Sequence, residues 1–147
     1  MNNESGLWQK HAALAHALLR MTLGLDICMH GIVRWVSGLG RFAGSLQAMF
    51  HGSPLPPWSV AGFGYALPML ETAVGVATLI GFQTHRALVA GMALMMILIF
   101  GSSLRQDWQI VGLQLVYSIA YAILLATAWI DRFSLDSIVS GTPGKNL

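Results

Sequence analysis

The chain has 147 residues, of which 55% are hydrophobic and only 10% charged, and its mean hydropathy is +0.63. A soluble domain carries about 25% charged residues, so this chain has too few charges to face water over its whole surface, and membrane lipid is its expected solvent. The net charge of +2 contains no basic run of the kind that meets nucleic acid, and a single cysteine, Cys28, excludes an internal disulfide, a CxxC redox pair and a cysteine-based zinc site.

The opening stretch MNNESGLWQKHAALAHALL lacks the early positive region and small-residue cleavage site of a signal peptide, so the first hydrophobic segment reads as a retained helix. A bilayer-spanning helix takes about 20 mostly apolar residues. Four stretches qualify: about 12–36, 60–82, 87–104 and 110–130. Lipid leaves only helices or closed barrels as ways to satisfy the backbone, and these runs are too long for barrel strands. The expected fold is therefore all-α: one domain over residues 1–147, an integral membrane four-helix bundle.

The first connection is the long one. Within it Phe42, Leu46, Met49 and Phe50 recur at helical spacing among Arg41, Ser45 and Gln47, which predicts a short amphipathic helix over about 41–51 lying at the interface. Pro54, Pro56 and Pro57 then stop any helix. The next two connections, around residues 83–86 and 105–109, are tight and make consecutive helices antiparallel neighbours. Trp8, Trp35, Trp58, Trp108 and Trp129 all fall at helix ends or connections, as an interfacial belt does. Four crossings put both termini on one side with Lys10, Arg86, Arg132 and Lys145, against Arg34, Arg41 and Arg105 on the other. By one residue, this favours cytoplasmic termini.

The first helix holds the informative pattern. At 100° per residue, His16, Arg20, Asp26, His30 and Arg34 share an arc of about 120°. Leu14, Leu18, Met21, Leu25, Met29 and Ile32 fall opposite, so one face suits lipid and the other protein or water. Each Asp, Lys or Arg at the centre of a spanning helix carries an insertion penalty of roughly 2.5–3.5 kcal/mol, and such residues face inward and find partners. In the second helix Glu71 lies near the midpoint, one turn after Pro68, which is expected to kink that helix. Matching depths predicts an Arg20–Glu71 ion pair and puts Gln114 of the fourth helix level with His30. Asp26 is then left to find His30, Arg34 or a proton of its own.

Two readings of these groups stand. Buried ion pairs can simply fix helix register, and His30 can be a satisfied structural histidine. Alternatively Asp26, His30 and Glu71 exchange protons with a bound quinone while Arg20, Arg34, Arg105 and Gln114 bind substrate. No HExxH motif or close cluster arises from His11, His16, His30, His51 and His85, so no metal site is expected. Only His16 and His85 come near the arrangement a bis-histidine haem needs.

The segment LLRMTLGLDICMHGIVRW, with its Arg, Gly and His-Gly, resembles the DoxX-like membrane protein family. So do the loop GSPLPPW, the helix-and-turn LETAVGVATLIGFQTHR and the tail DRFSLDSIVSG. The chain departs in having Arg34 where a lysine is common, in reducing a glycine pair to Gly75, and in adding His85 to the turn. The resemblance implies a subunit linked to redox metabolism in the bacterial inner (cytoplasmic) membrane, akin to the small subunit of thiosulfate:quinone oxidoreductase. It implies quinone as cofactor, thiosulfate or another small sulfur species as donor, and a protein partner or larger membrane complex. A non-catalytic accessory or assembly subunit is the competing expectation. A transporter or channel is a third, for which neither an inverted repeat nor paired broken helices is present.

Overall fold

A computed structural model describes residues 2–139, with side chains from Leu7 onward. Lys145 and the last two residues of the tail motif lie outside the described residues. Six α-helices follow in order: α1 (Asn2–Ser37), α2 (Leu39–Met49), α3 (Pro57–Ile80), α4 (Thr84–Leu104), α5 (Trp108–Ala126) and α6 (Leu135–Val139), with a 3-10 turn at Ala128–Ile130. No strand occurs among the described residues. Four helices, α1, α3, α4 and α5, are long and apolar enough to cross a membrane. The protein is an all-α membrane four-helix bundle.

The helix ends differ from the expected ones for local reasons. At 36 residues, α1 is about 54 Å long, well beyond the roughly 30 Å of bilayer hydrocarbon, so its polar first turns project past the apolar core. Pro57 starts a helix rather than only ending one. It occupies the first turn of α3, where a missing N–H is harmless. α3 then runs unbroken through Pro68 and ends at Gly81, which adopts a left-handed φ of 70°. α5 stops at Ala126 because Thr127 opens the 3-10 turn.

Two helix pairs make the bundle, α1 on α3 and α4 on α5, joined mainly through α3 and α4 and more thinly through α1 and α5. Small residues set the first pair. A Cβ on Gly24 would meet Leu79 Cα at 2.7 Å, one on Gly75 would meet Cys28 Cα at 2.6 Å, and one on Gly31 would meet the Pro68 carbonyl at 2.6 Å. The backbones touch at three successive levels, which is how helices associate when lipid removes the hydrophobic drive between them. In the second pair Gly91 of α4 receives the fully buried ring of Tyr121. Leu23, Ile27, Leu67, Leu88, Leu94, Met95 and Leu124 complete the core around it.

The short amphipathic helix expected in the long connection is present as α2, and its apolar side docks on α3, with Ala43 buried against Gly64. Phe42 of α2 and Phe50, which follows it, receive arginines from other elements: the Arg34 guanidinium is 4.6 Å from the Phe42 ring centre, and that of Arg105 is 5.6 Å from Phe50. Such cation–π contacts tie α2 across the mouth of the bundle. At the opposite end the tail folds back. Asp136 accepts bonds from the backbone N–H groups of Gln83 and Thr84 and from the Thr84 hydroxyl, so it caps α4 from 52 residues away.

Candidate functional site

The outward face of α1 is as the spacing predicts: Leu14, Leu18, Met21, Leu25, Met29 and Ile32 are all exposed. The five tryptophans of the belt are exposed too. Cys28 is a buried core side chain against Gly75. The ionisable groups do not gather in one cavity. They divide into three clusters along the bundle axis.

The first lies toward the termini. Arg20 is 1% exposed and makes no contact with Glu71, contrary to the expected pair. Its guanidinium donates to the carbonyls of Thr78 (2.7 Å), Leu79 (2.9 Å) and Phe133 (3.0 Å), and its Nε lies 3.8 Å from Asp131. The reason is register. Gly24 opposite Leu79 and Gly31 opposite Thr72 leave Arg20 and Glu71 about 18 Å apart along the axis. At its own level Arg20 meets the end of α3, whose last carbonyls have no helical partner and accept its N–H groups. His16, also buried, shares a 2.8 Å hydrogen bond between Nδ1 and the Thr127 hydroxyl. His85 is exposed in the first turn of α4 and does not face it.

The second cluster lies toward the long connection. Glu71, 4% exposed, is paired with Arg34. Arg105 is 3.3 Å from Asp107, the residue that also caps α5 by accepting from Ile110 N–H. Gln114 turns to α4 and donates to the Ser102 hydroxyl at 3.1 Å, and its own Oε1 is buried without a partner.

The third cluster lies between these, in the thin seam of α1 and α5. Tyr117 donates a 2.7 Å hydrogen bond to Asp26 Oδ2, and His30 Nδ1 is 3.5 Å from the same oxygen. His30 Nδ1 also lies 2.9 Å from the Asp26 carbonyl oxygen, an acceptor, so this nitrogen carries the proton. When the ring carries a single proton, Nε2 is left as an acceptor. The Asp26 and His30 side chains are 44% and 48% exposed. Tyr117 stands at the midpoint of α5, so an imidazole, a carboxylate and a phenol open sideways from the bundle near the centre of the membrane span.

Spacing along α1 finds Asp26 and His30 but misses Tyr117, the residue that holds Asp26. A signal was present: the other aromatic polar residues of the belt lie at helix ends, whereas Tyr117 and Tyr121 sit mid-helix with a hydroxyl to satisfy. Asp131 is missed because it follows the last apolar run. Fold and site thus define a four-helix membrane bundle with an ion-pair cluster toward each end and one open polar seam between them. Compared with protein families, curated proteins and solved structures, the chain matches none of them.

Proposed function

We propose that the chain is a membrane subunit of a quinone-linked redox system, of the DoxX-like kind its sequence resembles, and that a quinone headgroup lodges at Asp26, His30 and Tyr117. The carrying observation is that these three groups are bonded to one another yet lie half-open at mid-span, uncovered by the chain's own helices. Leaving them against hydrocarbon carries a penalty of a few kcal/mol, which a polar ligand soluble in the membrane relieves. A quinone supplies two carbonyl oxygens and takes up two electrons and two protons on becoming quinol. Asp26 and His30 hold and hand on the protons, and Tyr117 keeps Asp26 oriented. The buried Arg20 and Glu71 pairs position these groups rather than touch the ligand. Nothing in the chain moves electrons over distance, so the two electrons come from a small sulfur species such as thiosulfate through a protein partner. The setting is a bacterial inner membrane with cytoplasmic termini.

A second reading, an accessory subunit without chemistry, draws on the apolar outer faces of α4 and α5, where Met96, Ile97, Phe100, Val116 and Ile119 are exposed. On that reading the seam is covered by a partner's helix. Binding of a short-chain ubiquinone analogue to the purified protein in nanodiscs separates the two. The quinone reading expects saturable binding, weakened about 10- to 100-fold in Asp26→Asn and His30→Ala, as loss of a hydrogen bond to a charged group implies, and less in Tyr117→Phe. Absence of saturable binding to the folded wild type, or equal binding by all three variants, rejects it.

A further inference from the structure

The hydrogen bonds inside the seam use up its protons and leave it rich in acceptors. The Tyr117 hydroxyl donates its only proton to Asp26 Oδ2. His30 Nδ1 lies beside the Asp26 backbone carbonyl, which can only accept, so the ring proton sits on Nδ1 and points back along α1. The same nitrogen is 3.5 Å from Asp26 Oδ2, so both donors of the seam face one carboxylate oxygen. A ligand entering sideways therefore meets acceptors: Asp26 Oδ1, a lone pair of the Tyr117 oxygen, and Nε2 of a His30 ring with one proton. Among the described residues no hydrogen bond engages Asp26 Oδ1 or His30 Nε2.

The donors nearby are engaged elsewhere. Gln114 donates its amide to the Ser102 hydroxyl, and the Ser118 hydroxyl donates to the Gln114 carbonyl. Arg34, one turn beyond His30, is paired with Glu71 and lies over the Phe42 ring. The Tyr121 hydroxyl has no partner but is sealed against Gly91. Quinone carbonyls, which only accept, would set lone pairs against lone pairs here. A ligand that donates O–H protons completes the seam, and a hydroquinone carries two such hydroxyls on an otherwise apolar ring. A metal cation also seeks acceptors, but the described residues contain no group of three His, Cys, Asp or Glu side chains able to hold one.

We propose that the seam selects the reduced form of its ligand, holding a quinol through its hydroxyl groups more tightly than the matching quinone. This rests on the quinone reading given above and adds to it which redox state the site favours. The oxidised ligand finds a donor at His30 only when the ring takes a second proton and Nε2 becomes an N–H. Tighter binding of the reduced form raises the potential of the bound two-electron couple by about 30 mV per tenfold preference, which draws electrons onto the bound quinone. Affinities are measured on the folded protein in nanodiscs at about pH 8, above the usual imidazole value near 6.5. The ligands are a short-chain ubiquinone, its quinol kept reduced under argon, and the dimethyl ether of that quinol, which keeps the oxygens and lacks the donors. The quinol is expected to bind at least about ten times more tightly than either of the others, the effect of a hydrogen bond to a charged group. His30→Phe and Asp26→Leu present hydrocarbon where the side chains are half-open, so both are expected to fold, and each is expected to narrow the gap. Saturable quinone binding with no advantage for the quinol overturns the preference and leaves the quinone site standing. So does an ether that binds as tightly as the quinol, or a preference unchanged in both monodisperse variants. If none of the three ligands binds saturably, the site itself is rejected and the preference with it.

Discussion

Replacing Arg20 with alanine is expected to destabilise the bundle by about 3–5 kcal/mol, the range for breaking a buried ion pair from one side. The change strips Asp131, 7% exposed, of its cation and removes the donor to two carbonyls at the end of α3 and one, that of Phe133, in the tail. Two consequences distinguish this account from a simple loss of packing. Arg20→Lys restores the charge but not the planar fork that reaches several carbonyls at once, so it recovers only part of the stability. Adding Asp131→Asn to Arg20→Ala costs less than the two changes summed, since the second removes the charge the first has orphaned. Reversible unfolding in mixed micelles measures all four variants. Full additivity, or a loss below about 1 kcal/mol for Arg20→Ala, contradicts the assignment of Arg20 as the clamp between α1, α3 and the tail.

The second large effect reverses sign between glycines. Gly75→Ala puts a Cβ 2.6 Å from Cys28 Cα, and that atom is backbone, which cannot swing away. Forcing α1 from α3 is expected to cost about 1–3 kcal/mol or more, and Cys28→Ala does not rescue it. At Gly62 and Gly112 an added methyl group would meet nothing within 4 Å. There alanine gains helix propensity and is expected to stabilise by up to about 1 kcal/mol. The same unfolding assay reads both. Equal effects at Gly75 and Gly112 contradict the close approach of α1 and α3.

These glycines also explain where sequence reading succeeds and stops. Hydropathy runs locate four spanning helices because each must present apolar side chains for its whole length, and that demand is written residue by residue. The lipid face of α1 follows from a 100° step for the same reason. Relative depth is different. Setting helix midpoints level pairs Arg20 with Glu71, but the true register comes from Gly24 meeting Leu79 and Gly31 meeting Thr72, a property of two surfaces together. Arg20 therefore finds Asp131, which lies past the last apolar run, and Glu71 finds Arg34. Tyr117 escapes because an aromatic residue in a hydrophobic run counts as apolar, although its hydroxyl is what anchors Asp26. Docking of α2 by Ala43 into Gly64 is likewise invisible to periodicity. Spacing marks that helix as amphipathic without saying what its apolar side covers.

The open seam between α1 and α5 is the feature on which the functional reading depends. Photolabelling with an azidoquinone tests it directly: the folded protein in nanodiscs is irradiated with the probe, and the modified peptides are mapped. The account predicts saturable labelling near Asp26 and His30 on α1 and near Tyr117 on α5, competed away by unlabelled quinone. Labelling confined to the groove of Trp35, Met69, Val76 and Phe82 on the other flank of α1, or labelling that never saturates, contradicts it.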